Sequence, residues 1–296
     1  LAPLDRFSPV REKPKGPMHA VRTLFKNDSF ALLCFEHPPK PDDDCGDGEE
    51  RCSAYAVNFV EAGSFELGVS NQRWELSRGA VFLSEPGVIH RYHHFPRTPS
   101  DVCLSARYSP IFVENERQAQ PEIFEKAPYT VPASNRLAFL KYSLNALLDS
   151  GNHLAIETWA SELFVAARTP PALRAMLYRP RQLGWYADRI LAARDRLAEK
   201  YSEAHSLAAL ARGVGMSAYH FTRVFHELIG VPPHRYLIHC RLDHALEMLR
   251  AGRPVTTACF DCGFMNLSHF IRSFERRFGF RPSSVRSQKV VRFGKQ

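Results

Sequence analysis

One short phrase written twice constrains this chain more than any other feature. His220-Phe221-Thr222-Arg223-Val224-Phe225 is followed by Gly230 and Pro233, and His269-Phe270-Ile271-Arg272-Ser273-Phe274 by Gly279 and Pro282. The offset is constant at 49 residues: 220 to 269, 223 to 272, 230 to 279 and 233 to 282. Two copies cannot make a solenoid, whose stacked units need three or more repeats to bury their faces. A duplicated recognition unit fits the pattern.

Local signals say what each copy looks like. Leu207 to Arg212 reads as a short helix with Leu207, Leu210 and Ala211 on one face. Gly213-Val214-Gly215 breaks it, Ser217 is a good N-cap, and the next helix runs to about Ile229. Gly230 then stands where a glycine ends a helix, with Pro232 and Pro233 beyond it. The second copy repeats this grammar: a helix over Val255 to Cys262, a turn at Gly263-Phe264, an N-cap at Asn266, and a helix to about Phe278 stopped by Gly279. A short helix, a glycine turn and a second helix make a helix-turn-helix. In each second helix the i, i+3, i+4, i+7 rule separates two faces. Phe221, Val224, Phe225 and Leu228 point inward, as do Phe270, Phe274 and Phe278. Tyr219, Thr222, Arg223 and His226 form one outward stripe, and Leu267, Ser268, Ile271, Arg272 and Glu275 the other. An arginine on such a helix suits a major groove, because its fork bonds both acceptors of guanine while an apolar neighbour packs on a thymine methyl.

The segment resembles the DNA-binding region of AraC/XylS-type transcription regulators. The resemblance is carried by Leu207, Ala211, Gly215, Ser217, Arg223-x-Phe225, Gly230, Arg241-Leu242, Gly263-Phe264, Arg272-x-Phe274, Gly279, Pro282 and Arg286. Cys259 replaces the usual alanine before the turn, and Val285 stands where an aromatic residue closes the motif. The resemblance implies two helix-turn-helix units joined by one long helix, entering successive major-groove segments of double-stranded DNA. Carried over by position, the base-reading residues are Tyr219, Thr222 and Arg223, then Leu267, Ser268 and Arg272. It also implies a homodimer with RNA polymerase as a further partner.

The charge distribution points the same way. The chain has 296 residues and a net charge of +8, but residues 181–296 carry 19 Lys and Arg against 9 Asp and Glu, whereas residues 1–180 carry 20 against 22. A basic C-terminal part on a slightly acidic N-terminal part is the footprint of a nucleic-acid reader joined to something else. No apolar run approaches the ~18 residues of a membrane helix, and the start lacks a signal-peptide pattern. A cytoplasmic location without membrane contact is expected.

Residues 1–19, rich in proline and charge, read as a disordered arm. Short β-rich runs follow between His19 and Tyr108, punctuated by Asn27-Asp28, Ala62-Gly63 and Pro86-Gly87, which suggests a barrel or sandwich. The order Val60-x-x-Gly63, Leu76-x-x-Gly79, Pro86-Gly87-x-x-His90 is similar to the cupin-like sensor domain of the same family, which implies binding of a small-molecule effector. His90, His94 and Trp74 are the candidate effector contacts. From Pro121 the texture turns helical, with helices over Ser134 to Leu148 and Ala155 to Ala167 that either cover the barrel or carry a dimer contact. Thr169-Pro170-Pro171 and Arg179-Pro180-Arg181 bracket a hinge. The expected chain is multidomain α and β: a cupin-like β-barrel sensor over 20–110 with flanking helices, a helical dimerisation and linker region over 111–180, and an all-α double helix-turn-helix DNA-binding domain over 181–296.

Two other chemistries compete. A metal-dependent cupin enzyme needs two or three histidines and a glutamate converging in the barrel mouth. The equivalent strand pair from Glu61 to Val69 holds no histidine, and of His90, His93 and His94 only His90 and His94 share a strand face. No catalytic residue, metal or cofactor is therefore expected. A thiol redox or soft-metal sensor would use Cys45 and Cys52, which flank an acidic loop whose charge raises thiol pKa. Cys259-x-x-Cys262 falls inside a helix, where packed thiols are the simpler reading.

Overall fold

The structure is a computed structural model that describes residues 20–37, 47–95, 100–125, 128–169 and 176–285. The arm 1–19, Cys45 and Arg286 lie outside the described residues. The chain divides between Leu177 and Tyr178 into two compact units.

The first unit holds two antiparallel sheets. One has the order β1 (Ala20–Lys26), β2 (Phe30–His37), β9 (Asp101–Tyr108), β4 (Tyr55–Ala62), β7 (Val81–Ser84) and β10 (Thr130–Val131). The other has the order β3 (Asp47–Arg51), β8 (Ile89–His94), β5 (Ser64–Val69) and β6 (Gln72–Ser77). No ladder joins the sheets among the described residues, so the expected barrel is seen as two facing sheets. Closure comes from side chains: Val60, Phe82 and Cys103 of the first sheet and Phe65, Leu67, Val69 and Leu76 of the second form one buried cluster. β5 shows why, since Phe65, Leu67 and Val69 alternate with less buried neighbours and line one face.

Two strands had no clear sequence signal. β3 is the charged run Asp47-Gly48-Glu49-Glu50-Arg51, which reads as a solvated loop until β8 pairs with it. β10 is a two-residue strand on the edge of β7.

Helices α1 (Pro110–Ala119), α2 (Asn135–Ser150) and α3 (His153–Arg168) complete the unit, the first of them starting earlier than the change of texture at Pro121 suggests. The Tyr108 hydroxyl of β9 donates to the Ala160 carbonyl of α3 at 2.9 Å, and its ring packs edge-on against Phe164. Trp159 Nε1 donates to the Leu140 carbonyl at 2.7 Å and ties α3 to α2. These helices therefore cover the outer face of the six-stranded sheet.

The second unit is helical throughout: α4 (Pro180–Glu199), α5 (Leu207–Gly213), α6 (Ala218–Ile229), α7 (Pro233–Arg250), α8 (Val255–Asp261), α9 (Leu267–Phe278) and α10 (Pro282–Val285). Arg179-Pro180-Arg181, expected to bracket the hinge on its C-terminal side, opens α4 with its proline at N1, where the missing N–H costs nothing. Phe221, Val224, Phe225, Leu228, Phe270 and Phe274 are all fully buried, as their spacing requires. Leu207 departs from expectation and is 43% exposed; α5 buries only Leu210 and Ala211. Among the described residues no helix is long and apolar enough to cross a membrane.

Candidate nucleic-acid interface

The second helix of each motif, α6 and α9, is fixed at both ends by residues visible in the sequence. The Ser217 hydroxyl accepts from the His220 backbone N–H, and Asn266 Oδ1 accepts from the His269 N–H at 2.9 Å, so both N-caps are made. Gly230 (φ +88°) and Gly279 (φ +75°) close the helices in the left-handed conformation that side chains resist. Between them α7 spans 18 residues, a rod of roughly 27 Å at 1.5 Å per residue.

Several contacts hold the second motif in place. Arg277 of α9 meets Asp243 of α7 with two parallel bonds, Nε to Oδ1 at 2.9 Å and Nη2 to Oδ2 at 2.7 Å. Arg241 donates to the carbonyls of Tyr201 (2.7 Å) and Glu203 (2.8 Å), pinning the α4–α5 connection to α7. Gly263 in the turn of the second motif lies so close to that connection that a Cβ there would sit 2.5 Å from the Ser202 carbonyl oxygen.

The predicted reading residues fall as follows. Tyr219 is 81% exposed, and Arg223 is also exposed. Thr222 is half-buried, and its hydroxyl donates back to the Ala218 carbonyl at 2.8 Å, so its methyl is the group left to face outward. Ser268 and Arg272 are exposed on α9, with Arg272 Nε curled towards the Ser268 carbonyl at 3.4 Å. Leu267 is less exposed than its place on the outward stripe implies. It is half-buried and packs on the cluster of Cys259, Phe264, Phe270 and Phe274, as does Ile271. The reason is periodic: Leu267, Phe270 and Phe274 follow i, i+3, i+7 and share the apolar stripe.

The candidate effector contacts lie in the first unit. His90 is fully buried between the sheets, 6.2 Å from the Phe82 ring. Its Nδ1 meets the Tyr92 hydroxyl at 3.2 Å, and its Nε2 has no hydrogen-bond partner among the described residues. Burial holds its pKa down to about 4, so the ring is neutral at pH 7. Trp74 is half-buried beside Tyr129 against the same core. His94 does not converge with His90. Its Nδ1 lies 3.3 Å from Asp101 Oδ1, while His37 Nδ1 lies 2.9 Å from the other oxygen, so Asp101 bridges a strand of each sheet. Among the described residues no group of three or more His, Cys, Asp and Glu is placed to hold a metal ion. Cys52 is buried, and burial pushes its thiol pKa up, away from ready oxidation.

The helix-turn-helix domain family matches residues 210–288, a span that includes both α6 and α9. The virulence regulon transcriptional activator VirF of Yersinia enterocolitica is 30% identical over 97 residues, 32% of this chain and 36% of that protein. The chain thus matches only about a third of that relative's length. The transcriptional activator RhaS of Pectobacterium carotovorum is 28% identical over 254 residues, 80% of this chain and 87% of that protein. The helix-turn-helix part of the chain is thus similar to AraC/XylS-type transcription regulators. A solved structure of a probable AraC family regulator from Rhodopseudomonas palustris is 26% identical and covers 34% of this chain and 96% of its own, with a TM-score of 0.33.

The second motif presents side chains beyond those its sequence singled out. Arg276 is exposed one turn after Arg272 on the same face of α9, and its i+4 spacing was the available signal. Met265 is 93% exposed immediately before the N-cap of α9. It carries no periodic signal, because it lies in the turn.

Proposed function

We propose that this chain is a sequence-specific DNA-binding transcription regulator that reads two successive major-groove segments with α6 and α9. The observation that supports it best is the pairing of two capped helices, each with an exposed arginine on the face opposite a fully buried apolar stripe. The connecting rod of roughly 27 Å, with a packed helix at either end, matches the ~34 Å between successive major-groove faces. The site is then two short blocks about 10 bp apart without an internal palindrome. Because Tyr219, Thr222 and Arg223 differ from Ser268 and Arg272 with Leu267 beside them, the blocks differ in sequence.

We also infer that the two-sheet unit is a cupin-like sensor for a small organic effector. The supporting observation is the buried His90 Nε2, whose missing partner leaves a desolvated polar atom for a ligand to satisfy. The domain boundaries proposed are 20–110 for the sensor, 111–180 for the dimerising helices and 181–296 for the DNA reader. The chain acts as a homodimer that also meets RNA polymerase, and it catalyses no reaction.

Selection of binding sites from random duplexes tests the central claim. Arg223→Ala relaxes one block only, by about 1–3 kcal/mol, and Arg272→Ala relaxes the other. Uniform weakening across all sequences by either change would make that arginine a phosphate contact. Relaxation of the same block by both would end the two-reader geometry.

A further inference from the structure

Glu227 lies one turn after Arg223 on α6, the spacing at which a carboxylate captures a guanidinium. That pair is not made: among the described residues Arg223 has no ion-pair or hydrogen-bond partner. Glu227 is instead engaged by Tyr178, whose hydroxyl donates to Oε2 at 2.5 Å. Tyr178 is the first residue of the second unit, just before α4. Its ring lies 4.8 Å from that of Tyr186, and the Tyr186 hydroxyl meets His220 Nε2 at 3.0 Å. His220, Arg223 and Glu227 follow i, i+3, i+7 along α6, so these tyrosines run along the flank that borders Arg223. The Tyr178 phenol is held well above its ordinary pKa, by burial first and by the Glu227 carboxylate next, with the Arg223 charge opposing. At neutral pH it is therefore a donor.

We propose that Tyr178 is a positioning residue for DNA reading: it holds the Glu227 carboxylate aside, so that the Arg223 guanidinium is presented to the groove instead of being neutralised by its own helix. This rests on Arg223 as a base reader. A freed Glu227 would compete with guanine for Arg223 and would bring a negative charge towards the phosphates. Both effects weaken binding, and both vanish when the carboxylate is removed.

The test uses the full-length chain and the two-block duplex obtained by site selection, with binding measured for the selected site and for duplexes changed in one block. Tyr178→Phe keeps the ring beside Tyr186 and removes only the hydroxyl. It weakens binding by about twofold, the size expected when an exposed i, i+4 ion pair is switched on against the ligand, and the loss falls on the Arg223 block. Glu227→Gln alone leaves binding unchanged or slightly tighter, and Tyr178→Phe with Glu227→Gln restores it. In an Arg223→Ala background Tyr178→Phe costs nothing at that block. A loss that persists in the Glu227→Gln background would reduce Tyr178 to a packing role and overturn the proposal. So would a Glu227→Gln change as damaging as Tyr178→Phe. If Arg223→Ala relaxes its block while Tyr178→Phe changes nothing, this proposal fails and the base-reading role stands. If Arg223→Ala leaves block preference intact, the base-reading role fails and takes this proposal with it.

Discussion

Replacing Gly263 with alanine tests whether the two helix-turn-helix motifs are locked together at one backbone contact. The glycine has φ +82°, where an L-residue costs about 1–2 kcal/mol. A new Cβ would also lie 2.5 Å from the Ser202 oxygen, 3.0 Å from its carbonyl carbon and 3.1 Å from Arg241 Cζ. A backbone carbonyl cannot rotate aside as a side-chain tip can. Relief requires the 201–203 connection to move, which loosens the Arg241 bonds to the Tyr201 and Glu203 carbonyls. Hydrogen bonds from a charged donor are worth about 1.5–3 kcal/mol, so with the backbone strain Gly263→Ala costs about 3–5 kcal/mol. That is a large share of the ~5–15 kcal/mol available to a domain. Gly215, in the turn of the first motif, is the control: its φ is +69°, and nothing lies within 4 Å of an added Cβ. Gly215→Ala therefore costs only about 1–2 kcal/mol. Native-state hydrogen exchange, read peptide by peptide over α5 to α9, measures both in the full-length chain. Equal costs for the two substitutions would refute the steric argument and, with it, the locked junction.

Three further outcomes follow from the structure. Binding of the full-length chain to its two-block site weakens with salt, with a slope of log K against log salt of about −4 to −8, since each neutralised phosphate contributes ~0.9; a flat response would remove DNA as the main partner. His90 is neutral in the fold down to about pH 4, while the unfolded chain takes up a proton near its ordinary value of 6.5. Its stabilising contribution is thus complete above pH 6.5 and falls as pH drops to about 4, by an amount on the order of 3 kcal/mol; His90→Phe should flatten that part of the first unit's stability profile, and an unchanged profile would contradict the burial. Arg168 has a side chain only 1% exposed, bonded to Glu85 at 2.9 Å among the rings of Tyr55, Phe124 and Phe164. Glu85→Ala strands that charge and costs about 3 kcal/mol, whereas Glu85→Leu with Arg168→Met is close to neutral in urea unfolding; equal losses from the two would show that the pair itself, and not the stranded charge, matters.

The double helix-turn-helix was legible in the chain because its determinants are local. Ser217 and Asn266 cap helices that begin within a residue of them, Gly230 and Gly279 stop those helices with a backbone conformation, and the apolar stripe of α6 is complete within two turns. A stripe boundary is harder to place. Leu267 sits at the edge of one, sharing the stripe of Phe270 and Phe274, and packs against the core of the second motif. In the first unit the strands could be named but their partners could not. Asp47-Gly48-Glu49-Glu50-Arg51 has the composition of a loop, and it is a strand because β8 supplies the ladder. Asp101 joins His37 to His94, and Arg168 finds Glu85 across 83 residues. The bond from Tyr178 to Glu227 spans 49 residues that carry no shared pattern. Backbone preference and helical period act over a few residues and are written into neighbouring side chains. Desolvation, ion pairing and the closeness of Gly263 to Ser202 depend on which surfaces the folded chain presses together, and tertiary structure alone decided them.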